Sequence, residues 1–182
     1  MLKHLVRLLA VASLFLLPAL GDEDVVTAVH GTVTKVDAVG KTIAVKTADG
    51  TVHTIHFVDT TTIHGAHATA TAAKDSFHGI TEGSEVVAHY TVKGTEKTAV
   101  EVDKVGKDGM HAVEGVVTHV SEDGKTVVVK AADGTEHTFR VVGRDTVITA
   151  QDIGKGTEKG AKVTVYYTGS ASKKVAHFFE KL

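Results

Sequence analysis

The sequence predicts a mainly β protein built as two tandem, small, five-stranded barrels. Three observations carry that prediction. The chain repeats itself: residues 31–63 and 115–147 align without a gap at an offset of 84, with 17 of the 33 positions identical. Both copies alternate apolar and polar residues with the period of two that strands require, punctuated by glycine. Both copies also show the same order of elements. A period this long marks a duplicated domain rather than a solenoid.

The elements of the first unit follow from its patterning. Ala28 to Asp37 reads as a first strand, with Val29, Gly31 and Val33 on one face. Val36 falls on the wrong parity, which calls for a bulge or a coiled strand. A turn at Ala38-Val39-Gly40 leads into a second strand over 41–48, with Ile43 and Val45 inward. Asp49-Gly50 signals a tight type I′ hairpin, because such a turn needs positive φ. The third strand, 51–58, points Ile55 and Phe57 inward. Ala66, Ala70, Ala73 and Phe77 then recur at helical spacing, with Gly79 placed to end a helix. A fourth strand, 85–92, turns Val86, Ala88 and Tyr90 inward, and a fifth runs from about 98 to 105.

The second unit repeats this order with strands at about 112–121, 125–132 and 135–142. Beyond them the offset falls to 77, so this unit lacks seven residues in the connection between strands three and four. A short helical turn near 150–154 is all that is expected there. Gly160, Val163, Tyr167 and Ala176 then answer Gly83, Val86, Tyr90 and Ala99. Three strands, a helix and two strands is the order of an OB-like barrel. The expected division is 22–105 for unit 1, 106–111 for a linker and 112–182 for unit 2.

Residues 1–21 read as a secretory signal peptide. Lys3, His4 and Arg7 precede an apolar run from Leu8 to Leu17, Pro18 breaks it, and cleavage is expected after Gly21. An uncleaved anchor is the alternative, but the run is shorter than the roughly 20 residues a span needs. The expected location is therefore periplasmic or extracellular, with no membrane span after cleavage. The remaining 161 residues contain no Cys, so packing and strand pairing must hold the units without disulfides. They carry 18 basic and 22 acidic residues, a net charge of −4. That balance excludes a protein held to nucleic acid by overall charge. The outward positions of strands two and three, Thr42, Ala44, Lys46, Val52, Thr54 and His56, supply no aromatic platform for bases either.

The skeleton of Gly31, Val33, Val36, Asp37, Gly40, Gly83, Val86 and Ala99, with its partners in unit 2, resembles a bacterial family of exported small β-barrel domains of unknown function. That resemblance covers nearly all of the chain after the signal peptide. It implies an architecture and no activity. The skeleton is also similar, more weakly, to the periplasmic copper and silver chaperone barrels of metal-efflux systems. Those bind soft metal through Met, His and Trp. This chain has no Trp, and after the signal peptide its single Met is Met110, so their site does not carry over.

No catalytic pattern is present: no Cys nucleophile, no His-Glu-x-x-His, no Gly-x-Ser-x-Gly and no phosphate loop. The expectation is a non-enzymatic binding or structural module whose partner is a protein, an envelope component or a small ligand. Histidine is the anomalous residue type. Eleven follow the signal peptide, and seven of them lie between His30 and His89. Neutral imidazole is a common ligand of zinc, copper and nickel. His64 and His67 with His53 or His56 form the candidate site for a divalent metal ion, the alternative reading of function. His67 and His78 are eleven residues apart, about 16 Å along an intact helix, too far to share an ion. His53 and His137 recur between the units at inward parity, which fits a packing or hydrogen-bonding role. Tyr166 has outward parity, and Phe178 and Phe179 are adjacent, so one must face away from its own core. Core or edge packing is the expected fate of these aromatics, with a contact between units or with a partner as the alternative.

Overall fold

The computed structural model describes residues 26–64, 77, 79–107, 109–141 and 157–182. The signal segment, the predicted helix apart from Phe77, His67, His78 and the short turn near 150–154 lie outside the described residues. Eleven strands are described: β1 Val26–Asp37, β2 Thr42–Lys46, β3 Val52–His56, β4 Thr62–His64, β5 Glu85–Lys93, β6 Glu96–Lys104, β7 His111–Val120, β8 Thr126–Ala131, β9 Glu136–Val141, β10 Lys162–Thr168 and β11 Val175–Lys181.

The duplication read in the sequence is a duplication of strand order. In unit 1 the sheet runs β3-β2-β1-β5-β6, and a parallel bridge between His56 and Thr98 joins β6 back to β3. In unit 2, β7, β8, β9, β11 and β10 form a closed barrel in the same cyclic order. Closure gives each strand one face toward a core and removes exposed edges. The first core gathers Val33, Ile43, Val45, Ile55, Phe57, Phe77, Ile80, Val86, Ala88, Tyr90, Ala99 and Val102. The second gathers Val117, Val127, Val129, Phe139, Val163, Val165, Ala176 and Phe179.

Two local devices recur. The bulge expected near Val36 is present: β1 slips against β2 between Val33 and Lys35, and β7 slips against β8 between Val117 and His119. The slip restores Val36 to the core side, where it packs against the first cluster. Just before each bulge sits a glycine, Gly31 or Gly115. A Cβ there would fall inside contact distance of the carbonyl of Lys46 or Lys130 on the neighbouring strand. Only glycine allows strands to approach this closely.

The hairpins differ from expectation in one respect. Gly50 at φ 87° and Gly134 at φ 86° take the left-handed conformation, but Asp49 and Asp133 do not. A type I′ turn would need positive φ at both central residues. Here Gly50 N–H instead donates to the Thr47 carbonyl at 2.9 Å, and the aspartate serves as an acceptor. Asp49 Oδ1 takes the Thr51 N–H at 3.0 Å, and Asp133 Oδ1 takes the Thr135 N–H at 2.8 Å. Asp-Gly thus marks the turn correctly, with the carboxylate capping backbone rather than adopting αL.

Strand β4 is the one element the sequence reading does not contain. Thr62–His64 lies parallel to β6, pairing Thr62 with Glu101, Ile63 with Val102 and His64 with Asp103. Ile63 packs on the first core, so Thr62 and His64 must face outward.

The units also meet directly. Val87 of β5, Met110 and Tyr166 of β10 form a third buried cluster, with Val105 and Phe178 against it. Tyr166 and Phe178 therefore serve the contact between units, and Phe179 the unit 2 core; own-core or edge packing is not the fate of the first two. Among the described residues, no helix is long and apolar enough to cross a membrane, which says nothing of strands.

Candidate functional site

The site is built on the outer face of β4, β5 and β6. In β6, Val102 points into the core, so alternation turns Glu101 and Asp103 outward together. β4 then lays His64 directly beside Asp103. His64 Nδ1 lies 2.7 Å from Asp103 Oδ1 and 3.0 Å from Glu101 Oε1. The carboxylates are buried, Glu101 at 2% and Asp103 at 1% exposure, while the imidazole is 54% exposed. The three ligand atoms all lie within 4.8 Å of one another. Beside them on the same face, His89 pairs with Glu101 in the β5–β6 register and is itself buried.

Carboxylates taken out of water each cost several kcal/mol unless a cation compensates them. A divalent cation would match the pair and leave His64 as a neutral nitrogen donor. One nitrogen and two oxygens suit a borderline or hard ion rather than a soft one.

The described histidines among those singled out from sequence, His53, His56 and His64, lie apart. His56 bridges to Thr98 of β6, whereas His64 pairs with Asp103. Those two points are five positions apart along β6, roughly 16 Å at strand rise. His53 sits elsewhere, at the mouth of barrel 1: Lys97 Nζ donates to its Nδ1 at 2.9 Å, and the Tyr90 hydroxyl lies 3.3 Å from the same nitrogen. Burial and the Lys97 charge push its pKa below the usual histidine value, which keeps the ring neutral at pH 7. His67 lies outside the described residues. Of the four candidates, His64 alone joins a described histidine–carboxylate cluster. Its two partners were missed because acids on strand exteriors look scattered in sequence. The available signal was Glu101-x-Asp103, two acids on one strand face whose unit 2 counterparts are Phe178 and Glu180.

A second cluster bonds the units to each other. His30 Nε2 lies 2.7 Å from Glu85 Oε1, and its Nδ1 lies 3.1 Å from Glu180 Oε2. The Tyr166 hydroxyl donates to Glu180 at 2.9 Å and lies 2.9 Å from His30 Nδ1. Burial works to lower the His30 pKa, but its bonds to Glu180 and Glu85 outweigh it and the net shift is upward. The bond from His30 holds Glu180 below the usual carboxylate value.

The described chain is thus a pair of small β-barrels, the first carrying a histidine–carboxylate cluster on its outer face. No family model matches the chain, and no curated protein matches it. Among solved structures, one of Ag(I)CusF aligns at 14% identity over 42% of this chain and 93% of that one, with a TM-score of 0.32. At that level the similarity adds nothing to what the strand order shows.

Proposed function

We propose that this is an exported, non-enzymatic module of two OB-like barrels that binds a borderline divalent cation, such as Zn²⁺, through His64, Glu101 and Asp103. The observation that carries the reading is the convergence of two buried carboxylates on one half-exposed imidazole. The buried acids would provide charge and rigidity, and the exposed histidine would provide the side from which the ion enters. Soft Cu(I) and Ag(I) are disfavoured, because no thiolate or thioether is among the three donors.

Calorimetric titration of the protein with Zn²⁺ tests this. The expected result is one saturable site, weakened at least about tenfold in Glu101→Gln and in Asp103→Asn. His53→Ala is expected to leave binding unchanged. The absence of saturable binding below about 1 mM would sink the reading. Equal loss in His53→Ala would move the site to the histidines picked out from sequence.

A further inference from the structure

The mouths of the two barrels carry the same side chains. His53 and His137 are related by the offset of 84, whereas Lys97 and Lys174, and Tyr90 and Tyr167, are related by the offset of 77. The two offsets differ by the seven residues that unit 2 lacks between strands three and four, and both units bring the same three residue types together. Lys97 Nζ sits 5.4 Å from the centre of the Tyr90 ring, and Lys174 Nζ sits 5.4 Å from that of Tyr167. Each lysine also donates to the Nδ1 of its histidine.

The chemistry of that bond fixes what the mouth presents. An ammonium has three donors and no acceptor, so Nδ1 of each histidine must accept. In a neutral ring the proton then resides on Nε2. Each mouth therefore carries an ammonium and, in the neutral ring, an imidazole Nε2–H. Both lysines are half-buried, and neither has a carboxylate within ion-pair distance among the described residues. The nearest hairpin acids are occupied with their own turns. Asp49 is held by Thr47 and by both the N–H and the hydroxyl of Thr51, and Asp133 by the Thr135 N–H. A half-buried ammonium bonded to an imidazole, with its neighbouring acids already engaged, is arranged to meet an incoming acceptor with negative charge.

We propose that each barrel mouth is an oxyanion-binding site, centred on Lys97 and His53 in unit 1 and on Lys174 and His137 in unit 2. The ligand class is a small phosphate or carboxylate, free or at the end of a larger molecule. The site does not depend on metal at His64.

The test is NMR titration of the protein, in the presence of a chelator at pH 7, with inorganic phosphate and separately with acetate. The signals read are the His53 and His137 rings and the amides of Thr51 and Thr135. Saturable shifts at both mouths are expected, with midpoints at about millimolar concentration. Lys97→Gln should weaken the unit 1 response at least about tenfold and leave unit 2 unchanged, and Lys174→Gln should do the reverse. The untouched barrel in each variant reports that the fold survives. Tighter binding of phosphate assigns a phosphate-bearing ligand, and tighter binding of acetate a carboxylate. Shifts that rise linearly without saturating, or that saturate equally in both variants, would overturn the proposal.

Discussion

The outer faces of the two barrels diverge where their interiors do not. At the offset of 77, Val87, His89, Glu101 and Asp103 of unit 1 correspond to Thr164, Tyr166, Phe178 and Glu180 of unit 2. The pairing is structural as well. His89 opposes Glu101 in one sheet and Tyr166 opposes Phe178 in the other, with a bulge following directly in each. Unit 1 uses this face to gather two carboxylates and His64. Unit 2 uses it to dock on unit 1 through Tyr166 and Phe178. Inward positions are pinned by closure: Ile55 and Phe139, or Val45 and Val129, must fill the same space. Outward positions answer only to what covers them: unit 1 carries a cluster of charge at His64, Glu101 and Asp103 beside its Val87 contact, and unit 2 carries the aromatic side of that contact.

The largest effect that would sharpen this comparison lies inside the barrels. Phe139 is fully buried and corresponds to Ile55, also fully buried. Phe139→Ala should destabilise unit 2 by about 3–5 kcal/mol, and Ile55→Ala should destabilise unit 1 by about 2–5 kcal/mol. Denaturant unfolding read by probes in each unit is the measurement. Loss confined to the mutated barrel would show that each interior stands alone. Simultaneous loss of both would show that the contact between units couples them.

A smaller effect is expected at the shared glycines. Gly31→Ala and Gly115→Ala each push a methyl group against a backbone carbonyl that cannot rotate away, Lys46 or Lys130. Overpacking of this kind costs about 1–3 kcal/mol. The two substitutions should cost similar amounts, measurable as matched shifts in thermal midpoint. A near-neutral result at one of them would break the equivalence of the two bulges.

The duplication was legible because its residues are the ones geometry forces. Gly31 and Gly115, Asp49-Gly50 and Asp133-Gly134, and the alternating valines announce bulge, turn and core without knowledge of any neighbour. The candidate site was half legible. His64 stood out by composition, but its partners come from a strand 37 and 39 residues away, and β4 brings them together. Nothing local marks Thr62–His64 as a strand, since three residues are too few to show a period. The docking of the units was hidden for a related reason. Parity shows that Tyr166 and one of Phe178 and Phe179 leave their own core, but not which phenylalanine it is or that Val87 and Met110 receive them.

The smallest predicted effect concerns the bond between the units, and its sign follows from the groups around His30. Glu85 of β5 faces Nε2, while Glu180 of β11 and the Tyr166 hydroxyl of β10 face Nδ1. Tyr166 spends its one proton on Glu180, so both ring nitrogens of His30 serve best as donors, which requires the imidazolium. The raised His30 pKa means that its contribution to docking is fully present below the ordinary histidine value of 6.5 and is lost as pH rises through the raised value. The lowered Glu180 pKa means that its contribution is present above the ordinary 4.5 and is lost as pH falls through the depressed value. Tyr166, raised by burial and by Glu180, stays protonated throughout this range. Docking should therefore be tightest in mild acid, between about pH 4.5 and 6.5, and loosen toward both sides. Tyr166→Phe should cost about 0.5–1.5 kcal/mol of docking while keeping the ring among Val87, Met110 and Phe178. His30→Gln should flatten the loss on the alkaline side and also shrink the loss on the acid side, because the bond from His30 is the first cause of the lowered Glu180 value. Amide hydrogen exchange at Val87 and Met110 across pH, corrected for intrinsic rates, reads this out. Protection that rises steadily from pH 5 to 8 would contradict the assignment of His30 as the cation between two acids, and with it the view that unit 2's outer face was remade for docking.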